Sequence, residues 1–162
     1  MIDHRTENVT DEQTGGWTRV LEEMDAMAAK LADNGWETVS IAAGDAAAVT
    51  AETSRTGTHG FSYVVPGNAA TAFEELFVAD GFPRTEVYRA NSPSHLYLLT
   101  VVKDPPTEAA VLIAGAIERN QLSACKQAAT EAGKLYTNLL AVDGTCLGSF
   151  EHEDPTPFFP EE

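Results

Sequence analysis

Glu151-His152-Glu153-Asp154 sets three carboxylates beside one imidazole, directly after Phe150. Oxygen ligands of that kind suit a hard divalent ion, with the imidazole adding a nitrogen. Strand geometry works against it. Alternation sends Glu151 and Glu153 to one face and His152 to the other, so the four converge only if the chain bends at Pro155. Cys146, Gly148 and Phe150 share the parity of His152, the pattern of a core face running out at its edge. The reading is a satisfied edge histidine among solvated acids, with neither metal nor other cofactor expected.

His59 stands in Thr56-Gly57-Thr58-His59-Gly60, a loop before a strand, where catalytic residues often sit. Catalysis there would need a nucleophile and an orienting acid. Gly-x-Ser-x-Gly is absent, as are the glycines of a phosphate-cradling loop or a dinucleotide turn. Cys125 and Cys146 fall on inward positions of a helix and a strand, which fits small buried hydrophobes better than a redox pair. The tail 155–162, Pro155-Thr156-Pro157-Phe158-Phe159-Pro160-Glu161-Glu162, is held extended by its prolines and carries two phenylalanines that are costly to leave in water. Phe158 and Phe159 are expected to fold back onto this chain's own core. The rival expectation is an acidic, aromatic tail that docks into a neighbour.

These residues need elements to place them. Residues 1–14 are polar and acidic and read as a flexible arm. Trp17, Val20, Leu21, Met24, Met27, Ala28 and Leu31 recur at three- and four-residue steps, one stripe of a helix that Asn34-Gly35 closes. A strand follows over 36–43, with Val39 and Ile41 inward, and 46–58 reads as a connecting loop. Next come a strand over 61–65, a helix over 68–80 closed by Gly81, and strands over 85–90 and 95–103. The order then returns. A segment over 110–117 precedes a helix over 121–132 closed by Gly133, and strands over 135–142 and 145–153 are joined by Asp143-Gly144, a pair suited to a tight hairpin.

The two passes, 61–104 and 110–153, align at a constant offset of 52 residues, so that Gly81 falls on Gly133. Identity is low, and chance explains the match as well as duplication does. Ala109 to Ile117 is apolar all round, which leaves strand and helix open by periodicity alone; the short run and Gly115 favour strand. Over 95–103, Leu96, Leu98 and Val102 line one face while Tyr97, Leu99 and Val101 line the other, so both faces need cover. The Trp17 helix, another subunit or a partner must supply the second. The predicted fold is one α+β domain over 15–154: a mainly antiparallel sheet with helices packed on it, two strand–helix–strand–strand units behind an N-terminal helix and strand.

Charge sets the remaining bounds. The chain carries 25 acidic against 10 basic residues, a net charge of −15 over 162 residues. In molar salt the Debye length falls to about 3 Å and such charges barely interact. Stability should therefore fall below roughly molar KCl, as unscreened carboxylates repel. The same balance argues against a nucleic-acid partner, which calls for clustered Lys and Arg. No apolar run approaches the roughly 20 residues of a membrane span, and the start lacks the basic-then-apolar order of a secretory signal. A cytoplasmic protein with no membrane partner is expected.

With this alanine-rich, acidic composition and the ending Gly148-Ser149-Phe150-Glu151-His152-Glu153-Asp154-Pro155-Thr156-Pro157-Phe158-Phe159, the chain resembles small uncharacterised proteins of halophilic archaea. The resemblance implies source and compartment and no activity. The expected role is a non-enzymatic interaction or accessory module, a homo-oligomer or the partner of another protein. The alternative is a small hydrolase or a small-molecule-binding sensor using His152 or His59 with nearby carboxylates.

Overall fold

The structure, a computed structural model, describes residues 4–77 and 81–160, with side chains from residue 15 onward. In chain order its elements are α1 (His4–Asp33), β1 (Glu37–Ala42), β2 (Asp45–Val49), β3 (Gly60–Val64), α2 (Gly67–Leu76), β4 (Arg84–Asn91), β5 (His95–Asp104), β6 (Ala109–Glu118), α3 (Leu122–Ala132), β7 (Leu135–Leu140) and β8 (Cys146–His152). Single 3-10 turns cover Arg119–Gln121 and Thr156–Phe158. The fold is α+β, with two four-stranded sheets in the orders β1-β6-β5-β4 and β2-β3-β7-β8. Pairing is antiparallel except for β1 with β6 and β3 with β7. Among the described residues no helix is long and apolar enough to cross a membrane.

The two faces of β5 explain the layering. Leu96, Leu98 and Val102 point into a core between the sheets, with Val111 and Ile113 of β6 and Phe61 and Tyr63 of β3. Tyr97, Leu99 and Val101 point the other way, onto Val20 and Met24 of α1. The helix stripe read from Trp17 to Leu31 thus supplies the second cover from within the chain. Gly35, at φ +86°, ends α1 in the left-handed conformation expected there, and Gly133, at φ +71°, does the same for α3. Ala109–Glu118 is a strand, buried along nearly its whole length because it is a central strand of a sheet covered on both sides.

One glycine sets how closely the sheets approach. A Cβ at Gly115 would run into the Tyr63 ring and come within 3.2 Å of Ala46 Cβ. Small residues at that crossing let β2 lie over β6 and close the sheets along one side.

Four expectations are corrected. The backbone of 4–14, read as an arm, continues α1, and no proline interrupts it. Gly15-Gly16 does not break the helix, because Gly16 sits against the Tyr97 ring where a Cβ would collide. Residues 45–49, read as the start of a loop, form β2, since pairing with β3 outweighs the weak strand preference of alanine. The helix read as 68–80 ends at Leu76, where Phe77 turns extended at φ −70°, ψ 130°, so Gly81 is not its cap. The pairing also departs from the 52-residue match. There β5 corresponds to β8, yet β6 pairs with β5 while β3 pairs with β7.

Candidate functional site

The sheets join where β1 passes into β2, and their opposite edges, β4 and β8, are bridged by the contact of Thr85 with His152. A cleft of about 780 Å³ opens in that seam. One wall is aromatic: Phe150 of β8 meets Phe77 and Phe82 edge-on, with ring centres 5.5 and 5.6 Å away, while Phe77 and Phe82 stack nearly parallel. Much of the rest is polar, with Tyr136, Ser149, Glu151, Glu153 and Asp154 also lining the cleft. Phe82 has a φ of +59°, a conformation that costs a bulky residue roughly 1–3 kcal/mol and tends to mark functional sites. Val87 and Thr85 of β4 form the facing wall, and Pro157 and Phe158 close the end.

His152 borders this cleft and is only 5 % exposed. Its Nε2 lies 2.8 Å from Thr137 Oγ1 and its Nδ1 lies 3.2 Å from Thr85 Oγ1. A neutral imidazole donates from one nitrogen and accepts at the other, and hydroxyls can serve both. The Phe158 ring packs on it at 4.7 Å. Burial pulls the imidazole down to about 4, against a smaller upward pull from Glu151. His152 is therefore neutral at pH 7, with both ring nitrogens engaged. Among the described residues no carboxylate is hydrogen-bonded to it.

The neighbouring acids do not converge. Glu151 turns outward, accepts from Tyr136 Oη at 2.6 Å and lies 3.5 Å from Lys134 Nζ. Those two partners hold its carboxyl below the usual range. Asp154 Oδ1 accepts from the Thr156 amide at 3.0 Å, and Glu153 is exposed. Among the described residues no three His, Cys, Asp or Glu side chains form a group that could hold a metal ion. His59 lies outside the cleft lining; its Nδ1 accepts from the Ala51 amide at 3.1 Å and ties down the loop after β2.

Phe158 and Phe159 are spent on this chain's own core. They are 1 % and 3 % exposed and lie 5.9 and 5.7 Å from the Phe61 ring. The side chain of Arg89 donates to the Phe159 carbonyl. Residues 155–160 form a strap with both rings turned inward, so Phe158 and Phe159 pack on this chain's own core, as expected, and the rival reading of a docking tail is set aside.

Cys125 is buried as expected, and burial raises its thiol to about 11. Cys146 is exposed, against expectation. A bulge explains it: Leu139 pairs with Gly148 but Leu140 with Cys146, which inserts Leu147 and reverses the parity beyond it. Leu147 then packs on the core in place of Cys146. Sequence reasoning also missed the wall of Phe77, Phe82 and Phe150 with Thr85 and Thr137. The signal available was Gly81-Phe82-Pro83, whose glycine and proline mark an irregular connection.

The buried imidazole predicts a pH effect with a definite sign. The unfolded chain takes up this proton near pH 6.5, whereas the folded chain refuses it until about pH 4. The native state should lose about 3 kcal/mol from this group as pH falls from 6.5 to 4, with no further loss below. Urea unfolding from pH 8 to 4 should show this slope in the parent and not in His152→Gln. Parallel curves would refute it.

No curated protein and no solved structure matches this chain. A family match does cover almost all of it, including both sheets, the cleft and the strap, and the chain belongs to the family of unknown function DUF7529, matched over residues 3–160.

Proposed function

We propose that this protein is a non-enzymatic binding module that holds a small aromatic molecule with hydrogen-bonding groups in the cleft beside His152, serving an accessory or sensing role in a salt-rich cytosol. The observation that carries the reading is the cleft itself: about 780 Å³, with Phe77, Phe82 and Phe150 on one side and Thr85, Tyr136, Ser149 and His152 among the polar groups that line the rest. Ligand sites are commonly concavities of roughly 300–1,000 Å³ in which aromatic surface is combined with placed polar groups. A backbone strained at Phe82 fits a wall shaped for an occupant rather than for stability alone.

His152 suits recognition better than hydrolysis. A general base works best with a pKa near the working pH and a proton within reach. This imidazole sits near 4, and two threonine hydroxyls occupy its nitrogens. Ser149, also at the cleft, gives its hydrogen bond to Asn138 Oδ1 at 2.7 Å, so it has no base beside it. The salt-rich setting rests on the net charge of −15.

Thermal-shift and NMR screening with neutral aromatic fragments, in about 2 M KCl for charge screening, tests the reading. Fragments should bind the parent, perturb Phe150 and His152, and lose at least about tenfold in affinity in Val87→Trp, which fills the cleft. Fragments that bind nowhere near these residues, or that bind Val87→Trp equally well, would overturn it.

A further inference from the structure

A second concavity, of about 460 Å³, lies on the far side of the strap, between the outer face of α3 and Phe159–Pro160. Its chemistry is opposite to that of the rest of the molecule. In a chain with only 10 basic residues, Arg119 and Lys126 both line this groove, and among the described residues Glu131 is the one acid in its lining. Arg89 stands at its edge through its hydrogen bond to the Phe159 carbonyl. Leu122 and Phe159, both buried, give an apolar floor.

The polar groups of the groove are largely uncommitted. Among the described residues Lys126 makes no ion pair, and the side chains of Ser123, Gln127 and Thr130 have no hydrogen-bond partner. Arg119 uses one guanidinium nitrogen on Asn91 Oδ1 at 2.7 Å. That bond fixes the side chain and leaves other donors of the fork free. A pinned arginine, a free lysine and a run of small donors one helical turn apart match an anionic head, while the floor matches an apolar body.

We propose that this groove is a second ligand site, built for a small molecule that carries a phosphate or carboxylate head on an apolar body. It is independent of the proposed cleft ligand, though the strap is shared: Phe158 closes one site and Phe159 floors the other.

The test is an NMR titration of the full chain with phenyl phosphate, benzoate and inorganic phosphate in parallel, at fixed KCl. Phenyl phosphate or benzoate should saturate with shifts at the Ser123, Lys126, Gln127 and Thr130 amides, and the better of the two identifies the head group. Inorganic phosphate should bind at least about tenfold more weakly, because it gains nothing from the floor. Lys126→Glu, an exposed position with no partner to lose, should weaken the aryl ligand by about tenfold or more, the scale of one charged hydrogen bond. Val87→Trp, in the other cleft, should leave it unchanged. The proposal is overturned by three results: no saturable shift on α3, equal binding of inorganic phosphate, or unaltered affinity in Lys126→Glu.

Discussion

Phe158→Ala should destabilise the protein by about 3–5 kcal/mol, the range for deleting a buried phenylalanine side chain. The ring is 1 % exposed and lies between Phe61 and the His152 imidazole, so little can collapse into its place. A second effect follows from the same geometry. Removing the ring admits water beside His152, and the burial that pulls this imidazole to about 4 is relieved, so its pKa should rise toward 6.5. Urea unfolding and the His152 ring resonances followed against pH read the two effects separately. A docking tail would predict neither. Unchanged stability with an unchanged imidazole would mean that the strap does not close the core.

Gly60→Ala should be worse, costing more than about 4 kcal/mol, enough to leave little folded protein. Gly60 has a φ of +150° and pairs in register with Tyr136 of β7. A Cβ there would drive into the Tyr136 carbonyl oxygen and stand 2.7 Å from its nitrogen. Those atoms belong to a backbone that cannot retreat, since the Tyr136 amide is bonded to the His59 carbonyl at 2.9 Å. Gly67→Ala is the control: its backbone φ is ordinary and nothing lies within 4 Å of a new methyl group. That substitution should change stability by less than about 1 kcal/mol in either direction. Soluble expression and urea midpoints of the two variants decide the matter, and a well-folded Gly60→Ala would contradict the close parallel pairing of β3 and β7.

Much of the fold was legible where local pattern and tertiary demand agree. The two apolar faces of β5 announced a strand covered on both sides, and the stripe from Trp17 to Leu31 supplied one of the covers. Gly35 and Gly133 marked helix ends because only a residue free of a Cβ takes that conformation cheaply. Legibility failed where a distant partner decides. Asp45–Val49 carries no strand pattern of its own and is a strand because β3 offers it a ladder. Cys146 faces out because an inserted Leu147 shifts the parity, and with Cys146 and Leu147 both apolar the sequence does not show which of them turns inward.

The site was legible only in part. The placement of His152 on an inward face, with Glu151 and Glu153 opposed to it, follows from strand alternation. The cleft does not, because it is lined from two edge strands, β4 and β8, that lie far apart in the chain. Phe77, Phe82 and Phe150 read singly as core residues; only the structure brings their rings together as one wall.

The most direct measurement is the His152 ring signal during titration of a neutral aromatic fragment, with ester hydrolysis assayed in the same samples. The account predicts that the signal moves on binding, stays that of a neutral imidazole from pH 8 to 5, and is accompanied by no turnover. A signal indifferent to every fragment, or ester turnover that vanishes in His152→Gln, would contradict it.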